Sequence, residues 1–134
     1  TKGLDLEIAL CDTTGKATPY QVADHLTRLR EQPEREHIKW AFHGHDTYGM
    51  GVSNALFAIH NGATALDAAA AGLGGCPFAP GASGNTATEG IVYALHKSGI
   101  HTGIDMQQLL IAADYISDLP GGQTDSRIRT IPRR

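Results

Sequence analysis

Cysteine is scarce in this chain: Cys11 and Cys76 are the two among 134 residues. They sit in very different contexts, so the dense disulfide framework of a small secreted domain is excluded and a reducing compartment is expected. Basic excess is also missing. Eleven Lys and Arg face fourteen Asp and Glu, giving a net charge of -3 and a pI near 6.1, which leaves no global field to attract phosphate backbones and no support for a nucleic-acid partner. The short basic tail of Arg127, Arg129, Arg133 and Arg134 reads as solvated. No run approaches the roughly 18 apolar residues of a spanning helix, and no charged stretch leads into an apolar segment at the start, so neither a membrane anchor nor a signal peptide is expected. Internal repeats and low-complexity linkers are missing as well. The chain opens on Thr1 rather than Met, so its true N-terminus is expected further upstream.

What is present is the punctuation of an α/β domain, with a hydrophobic fraction of 41% that suits one core. Leu6 to Leu10 is a short apolar run ending in the polar turn Asp12-Thr13-Thr14-Gly15, as a buried parallel strand would. Thr18-Pro19-Tyr20-Gln21 combines an N-cap, Pro at the first helical position and Gln at N3. Val22, Leu26 and Leu29 then share one face of a helix that should end before Pro33. Ile38 to Phe42 reads as a second strand running into His43 and His45, and Gly49 to Gly51 separates it from a helix with Val52, Leu56 and Ile59 in register. Thr64 to Ala71 is expected as a third strand, followed by a Gly-rich loop from Gly72 to Gly84. Thr86-Ala87-Thr88-Glu89 reads as a capping box opening a helix towards Ser98, and Asp105-Met106-Gln107-Gln108 opens a last helix. The order βαβαβαα implies a parallel sheet whose chemistry collects at the strand C-termini.

Three clusters occupy those C-termini. In His43-Gly44-His45-Asp46, residues i and i+2 of an extended strand point to one face, so two imidazoles can serve one ion. A pair of hydrogen-bonded structural histidines is the competing reading. With Asp46 as an orienter behind the imidazoles and Asn85 as an oxygen donor, a mixed nitrogen and oxygen site for Mg²⁺ or Mn²⁺ becomes the better explanation, with Zn²⁺ or Co²⁺ as alternatives. Cys76 in its Gly-rich loop is either a thiol carried over a substrate or a buried small hydrophobe. Asp12 is a ligand, a general base or a turn former. Cys11 reads as packing, and His25, His37, His60, His96 and His101 as solvated or structural. Gly72 to Gly75 match neither a Walker pattern nor a dinucleotide fingerprint.

Phe42-His43-Gly44-His45-Asp46-Thr47-Tyr48-Gly49 and the run from Ala71 through Gly72-Leu73-Gly74-Gly75-Cys76-Pro77 to Gly84-Asn85-Thr86-Ala87-Thr88-Glu89 resemble the 3-hydroxy-3-methylglutaryl-CoA lyase family, within a metal-dependent superfamily of TIM-barrel lyases and Claisen-type acyltransferases. The Cys76 run is the more specific part. The resemblance implies a divalent ion held by His43, His45 and Asn85, with Cys76 on a loop that closes over an acyl-CoA. It assigns His43, Cys76 and Asp12 to catalysis, and Thr13, Gly75 and Glu89 to substrate binding. The implied reaction is retro-Claisen cleavage to acetyl-CoA and acetoacetate, with His43 and Cys76 favoured for protonating the enolate. A homodimer, and a cytoplasmic or mitochondrial location, follow from the same resemblance. Ala9 stands where such lyases often carry Ser.

The departure from the family is an absence: the opening barrel strand with its Arg-Asp pair does not occur here. The resemblance covers the last three of eight strands, so residues 1–134 are expected to be the C-terminal segment of a (β/α)8 TIM barrel. Three strands leave two unpaired parallel edges, and multiples of three never total eight. A metal-binding or interaction module without catalysis therefore stays open as an alternative, as does a related aldolase or acyltransferase.

Overall fold

The computed structural model describes residues 5–75, 83–119 and 126–132. Three strands, β1 (Leu6–Asp12), β2 (Ile38–Gly44) and β3 (Ala65–Asp67), form one parallel sheet in the order β1-β2-β3. The register sets Cys11 beside His43 and His43 beside Asp67. Helix α1 (Pro19–Arg30) follows β1, and α2 (Gly51–His60) follows β2. After β3 come a 3-10 turn (Ala70–Gly72), α3 (Thr88–Lys97) and α4 (Met106–Ser117).

One face of the sheet meets the helices. Trp40 and Phe42 of β2 pack with Val22 and Leu26 of α1, Ala55 and Ala58 of α2, and Ile91 and Leu95 of α3, while Leu10, Ile38 and Leu66 lie at the margin of the same cluster. Alternation along β2 sends His43 to the opposite face from Phe42, away from the helices. β1 is exposed along most of its length, and among the described residues it pairs with β2 alone. Leu6 and Ile8 are open on it, at 37% and 38% exposure, and Cys11, expected as packing, is an exposed free thiol.

Two helix starts behave as their residue types dictate. Thr18 Oγ1 accepts from the Gln21 backbone N–H while Gln21 Oε1 accepts from the Thr18 N–H, closing the reciprocal box. Asp105 Oδ1 accepts from Gln108 N–H at 2.9 Å. The box expected at Thr86 is not formed. Helix α3 starts at Thr88 with Ala87 as an N-cap that makes no side-chain bond. The Thr86 hydroxyl instead donates to Gly44 C=O at 2.8 Å, and both Glu89 carboxylate oxygens accept from the Ala71 N–H at 3.0 Å. Both side chains are enclosed, at 1% and 0% exposure. Left without Glu89, the buried Ala71 N–H would cost about 1 to 3 kcal/mol, more than a cap is worth at about 1 kcal/mol, so the tertiary partner wins there.

The same contact explains why the third strand is shorter than expected. Pairing stops at Asp67, Ala69 makes an isolated bridge to Ala87, and Ala71 adopts φ 60, a left-handed conformation unusual for a residue with a Cβ. Alanine-rich 68–71 has little β-branched or aromatic surface to extend a ladder, whereas Glu89 supplies a specific acceptor for the turned backbone.

Candidate metal centre

The end of β2 presents two imidazoles. His43 and His45 lie with ring centroids 5.3 Å apart and planes at 74°, as the i, i+2 spacing requires. The strand direction continues past Gly44 because neighbouring segments hold the backbone: His45 N–H donates to Asp12 C=O, Asp46 N–H to Gly84 C=O, and Thr86 N–H to Gly44 C=O. His45 and Asn85 thereby face each other in an isolated antiparallel bridge.

Asn85 is oriented from the other side. Its Nδ2 donates to Leu73 C=O at 2.8 Å, which fixes the amide and leaves Oδ1 without a hydrogen bond among the described residues. Gly74, at φ 107, lies so close that a Cβ there would come 2.7 Å from Asn85 Nδ2. A Cβ on Gly84 would strike the carbonyl oxygens of Gly72 and Gly74, so bare backbone at both positions lets the two arms of the loop close on each other.

His45 is 6% exposed, yet its Nδ1 is buried without a hydrogen-bond partner among the described residues. An orphaned imidazole nitrogen beside a second imidazole and an unpartnered amide oxygen is a donor set that fits a divalent cation. Among the described residues, no three His, Cys, Asp or Glu converge on such a position. The candidate ligands His43, His45 and Asn85 include only two groups of those types.

Other expected residues lie in places that change their reading. Asp12 has Oδ1 on the Lys16 N–H at 3.1 Å and Oδ2 on the Ala17 N–H at 3.0 Å, and so acts as the turn former of its loop. Asp46, expected to orient the histidines, accepts instead from the Gly51 N–H at 2.6 Å and holds the start of α2. Glu89, assigned to substrate by resemblance, is enclosed against Ala71 and offers no surface to a ligand. Thr13 is exposed at the tip of the β1 turn, and Gly75 is exposed with open space around it. Cys76 lies outside the described residues. The sequence did not mark Thr86 or the Leu73 carbonyl as parts of this site, because their work is done by tertiary hydrogen bonds that carry no spacing signature.

The family model described as HMGL-like matches residues 5–116. The mitochondrial hydroxymethylglutaryl-CoA lyase of Mus musculus is 45% identical over 122 residues, covering 91% of this chain and 37% of that protein. The cytoplasmic 3-hydroxy-3-methylglutaryl-CoA lyase of Danio rerio is 40% identical, covering 95% of the chain and 37% of the relative. The crystal structure of the Bacillus subtilis HMG-CoA lyase superposes with a TM-score of 0.82 at 42% identity, covering 95% of this chain and 42% of that one. An Acinetobacter baumannii HMG-CoA lyase in complex with coenzyme A and 3-methylmalate gives 0.82 at 41% identity, covering 94% and 41%. The chain thus spans about two fifths of the length of its relatives. With a match over most of its residues, the chain belongs to the HMGL-like family, and its three parallel strands with their helices are part of that family's (β/α)8 barrel.

Proposed function

We propose that this chain carries the metal-binding rim of an acyl-CoA carbon-carbon lyase that cleaves 3-hydroxy-3-methylglutaryl-CoA, or a close analogue, to acetyl-CoA and acetoacetate. The observation that supports it most is the pairing of His45 with Asn85 beside His43, with the His45 Nδ1 left unpartnered. His43, His45 and Asn85 would hold a divalent ion, Mg²⁺ or Mn²⁺, which supplies Lewis acidity and a template for the substrate oxygens.

The chain's own groups do the rest. Asp12 and Gly15 shape the turn beside the histidines, and Thr13, exposed at its tip, would meet the acyl group. Cleavage removes the proton of the tertiary hydroxyl, turns that carbon into the ketone of acetoacetate and leaves the bond's electron pair on the α-carbon of acetyl-CoA. That carbon needs a proton, and in this reading the thiol of Cys76 would deliver it. Dimerisation belongs to the whole protein in this reading.

The exposed edge of β1 and the two-fifths coverage favour a second reading for the isolated chain, metal binding without turnover. Titration with Mn²⁺ of the wild type and of His43→Ala, with acetoacetate release measured for this chain and for a full-length protein containing it, separates the two. The lyase reading expects metal binding in both and cleavage in the longer protein. Cleavage unaffected by Cys76→Ser in the longer protein would overturn it.

A further inference from the structure

A second recess opens beside the candidate metal centre. Its volume is about 380 Å³, within the range of small-molecule sites, and Asp46, Thr47, Tyr48, Gly49, Ser83 and Arg127 line it. The first four directly follow His45, and Ser83 directly precedes Gly84 and Asn85. The recess therefore shares both loops of the metal centre while using different side chains.

Most of its polar groups are donors without a partner among the described residues. Thr47 Oγ1 and Ser83 Oγ are buried and have no hydrogen-bond partner among the described residues. Tyr48 is 61% exposed with its hydroxyl free among the described residues. Arg127 makes no ion pair among the described residues, and its Nη2 lies 3.7 Å from where a Cβ on Gly49 would be; its neighbour Arg129 is the one paired, with Asp114 Oδ1 at 3.3 Å. The one acidic group, Asp46, has Oδ1 engaged by the Gly51 N–H at the start of α2, where the helix dipole compensates its charge. A guanidinium and several hydroxyl donors converging on one recess match an anion of several oxygens.

We propose that Arg127, Thr47, Tyr48 and Ser83 form a phosphate-group subsite adjoining the metal centre. If the acyl-CoA reading above holds, the phosphates of the coenzyme are the natural occupant; free inorganic phosphate offers the same chemistry. Glycine at position 49 carries a φ of +72, a strained conformation for any other residue, and so shapes the loop that runs beneath the guanidinium.

The test is calorimetric titration of the chain with coenzyme A, 3′-dephospho-coenzyme A, pantetheine and inorganic phosphate, for the wild type, Arg127→Gln and Thr47→Val, with circular dichroism confirming equal folding. Both variants should weaken coenzyme A binding, Arg127→Gln by about tenfold or more, and leave pantetheine unchanged. A loss for coenzyme A alone assigns the 3′-phosphate, and an equal loss for the dephospho form assigns the diphosphate. Inorganic phosphate binding that needs Arg127, without coenzyme A binding, upholds the subsite while sinking the acyl-CoA reading. Coenzyme A that binds the wild type and both variants alike, or a wild type that binds neither anion, overturns the subsite.

Discussion

His45 and Asn85 meet across an isolated antiparallel bridge, although one ends a strand and the other follows a long glycine-rich loop. Backbone pairing, not side-chain attraction, brings the imidazole and the amide together. Changes to the backbone of either arm should therefore act on metal affinity as strongly as changes to the donors.

Removing a donor is the direct case. Partners that merely orient metal ligands are worth about 10 to 100-fold in affinity, so His45→Ala should weaken Mn²⁺ binding by at least that factor. Titration followed by the paramagnetic signal of free Mn²⁺ reads it; unchanged affinity would exclude His45 as a ligand.

Gly74→Ala tests the orienting contact without touching a donor. A Cβ at φ 107 is strained and would press on Asn85 Nδ2, so Mn²⁺ affinity should fall by about tenfold while the histidines stay intact. Equal affinity in the same titration would show that the Asn85 amide does not depend on its Leu73 bond.

Glu89→Ala removes the acceptor for the buried Ala71 N–H and leaves a void. Destabilisation of about 2 to 4 kcal/mol is expected, measured by urea unfolding of the chain. A substrate contact at Glu89 would instead alter ligand affinity with little change in the unfolding midpoint.

Thr86→Val and Thr18→Ala separate two threonines that look alike in sequence. Thr86→Val removes one of two hydrogen bonds to the Gly44 carbonyl, which keeps the Thr86 N–H at 3.1 Å, and should cost about 0.5 to 1.5 kcal/mol, rescued by Thr86→Ser. Thr18→Ala removes a true cap and should cost about 1 kcal/mol. Urea midpoints read both, and a loss at Thr86→Val that Thr86→Ser does not recover would show that the hydroxyl is not what ties Thr86 to Gly44.

Local chemistry was legible where the partner of a side chain lies within a few residues. The Thr18 box, the Asp105 cap and the alternation that puts His43 and His45 on one face all follow from nearest neighbours and appear as read. Strands β1 and β2 run two residues beyond the apolar runs, to Asp12 and Gly44, because parallel pairing extends to the matched register rather than to the last hydrophobic residue. The third strand and the α3 start were misread for one reason: Glu89 and Thr86 have caps' residue types but spend them on backbone groups of Ala71 and Gly44. Asp46 likewise has the placing of an imidazole partner, yet the open N–H of Gly51 claims it. Such competitions are decided by which donor folding buries, and that information is not local. Family resemblance named His43, His45, Asn85 and Cys76, while the meeting of His45 with Asn85 needed the bridge between two distant segments.

The bare flank of β1 has a material consequence. Its row of amides and carbonyls, without a neighbouring strand on that side among the described residues and with Leu6 and Ile8 beside it, is a template on which an extended peptide can stack. Concentrated solutions of this chain should grow by lateral accretion into ribbons, and a short, proline-tipped strand mimic docked along that flank should keep them clear.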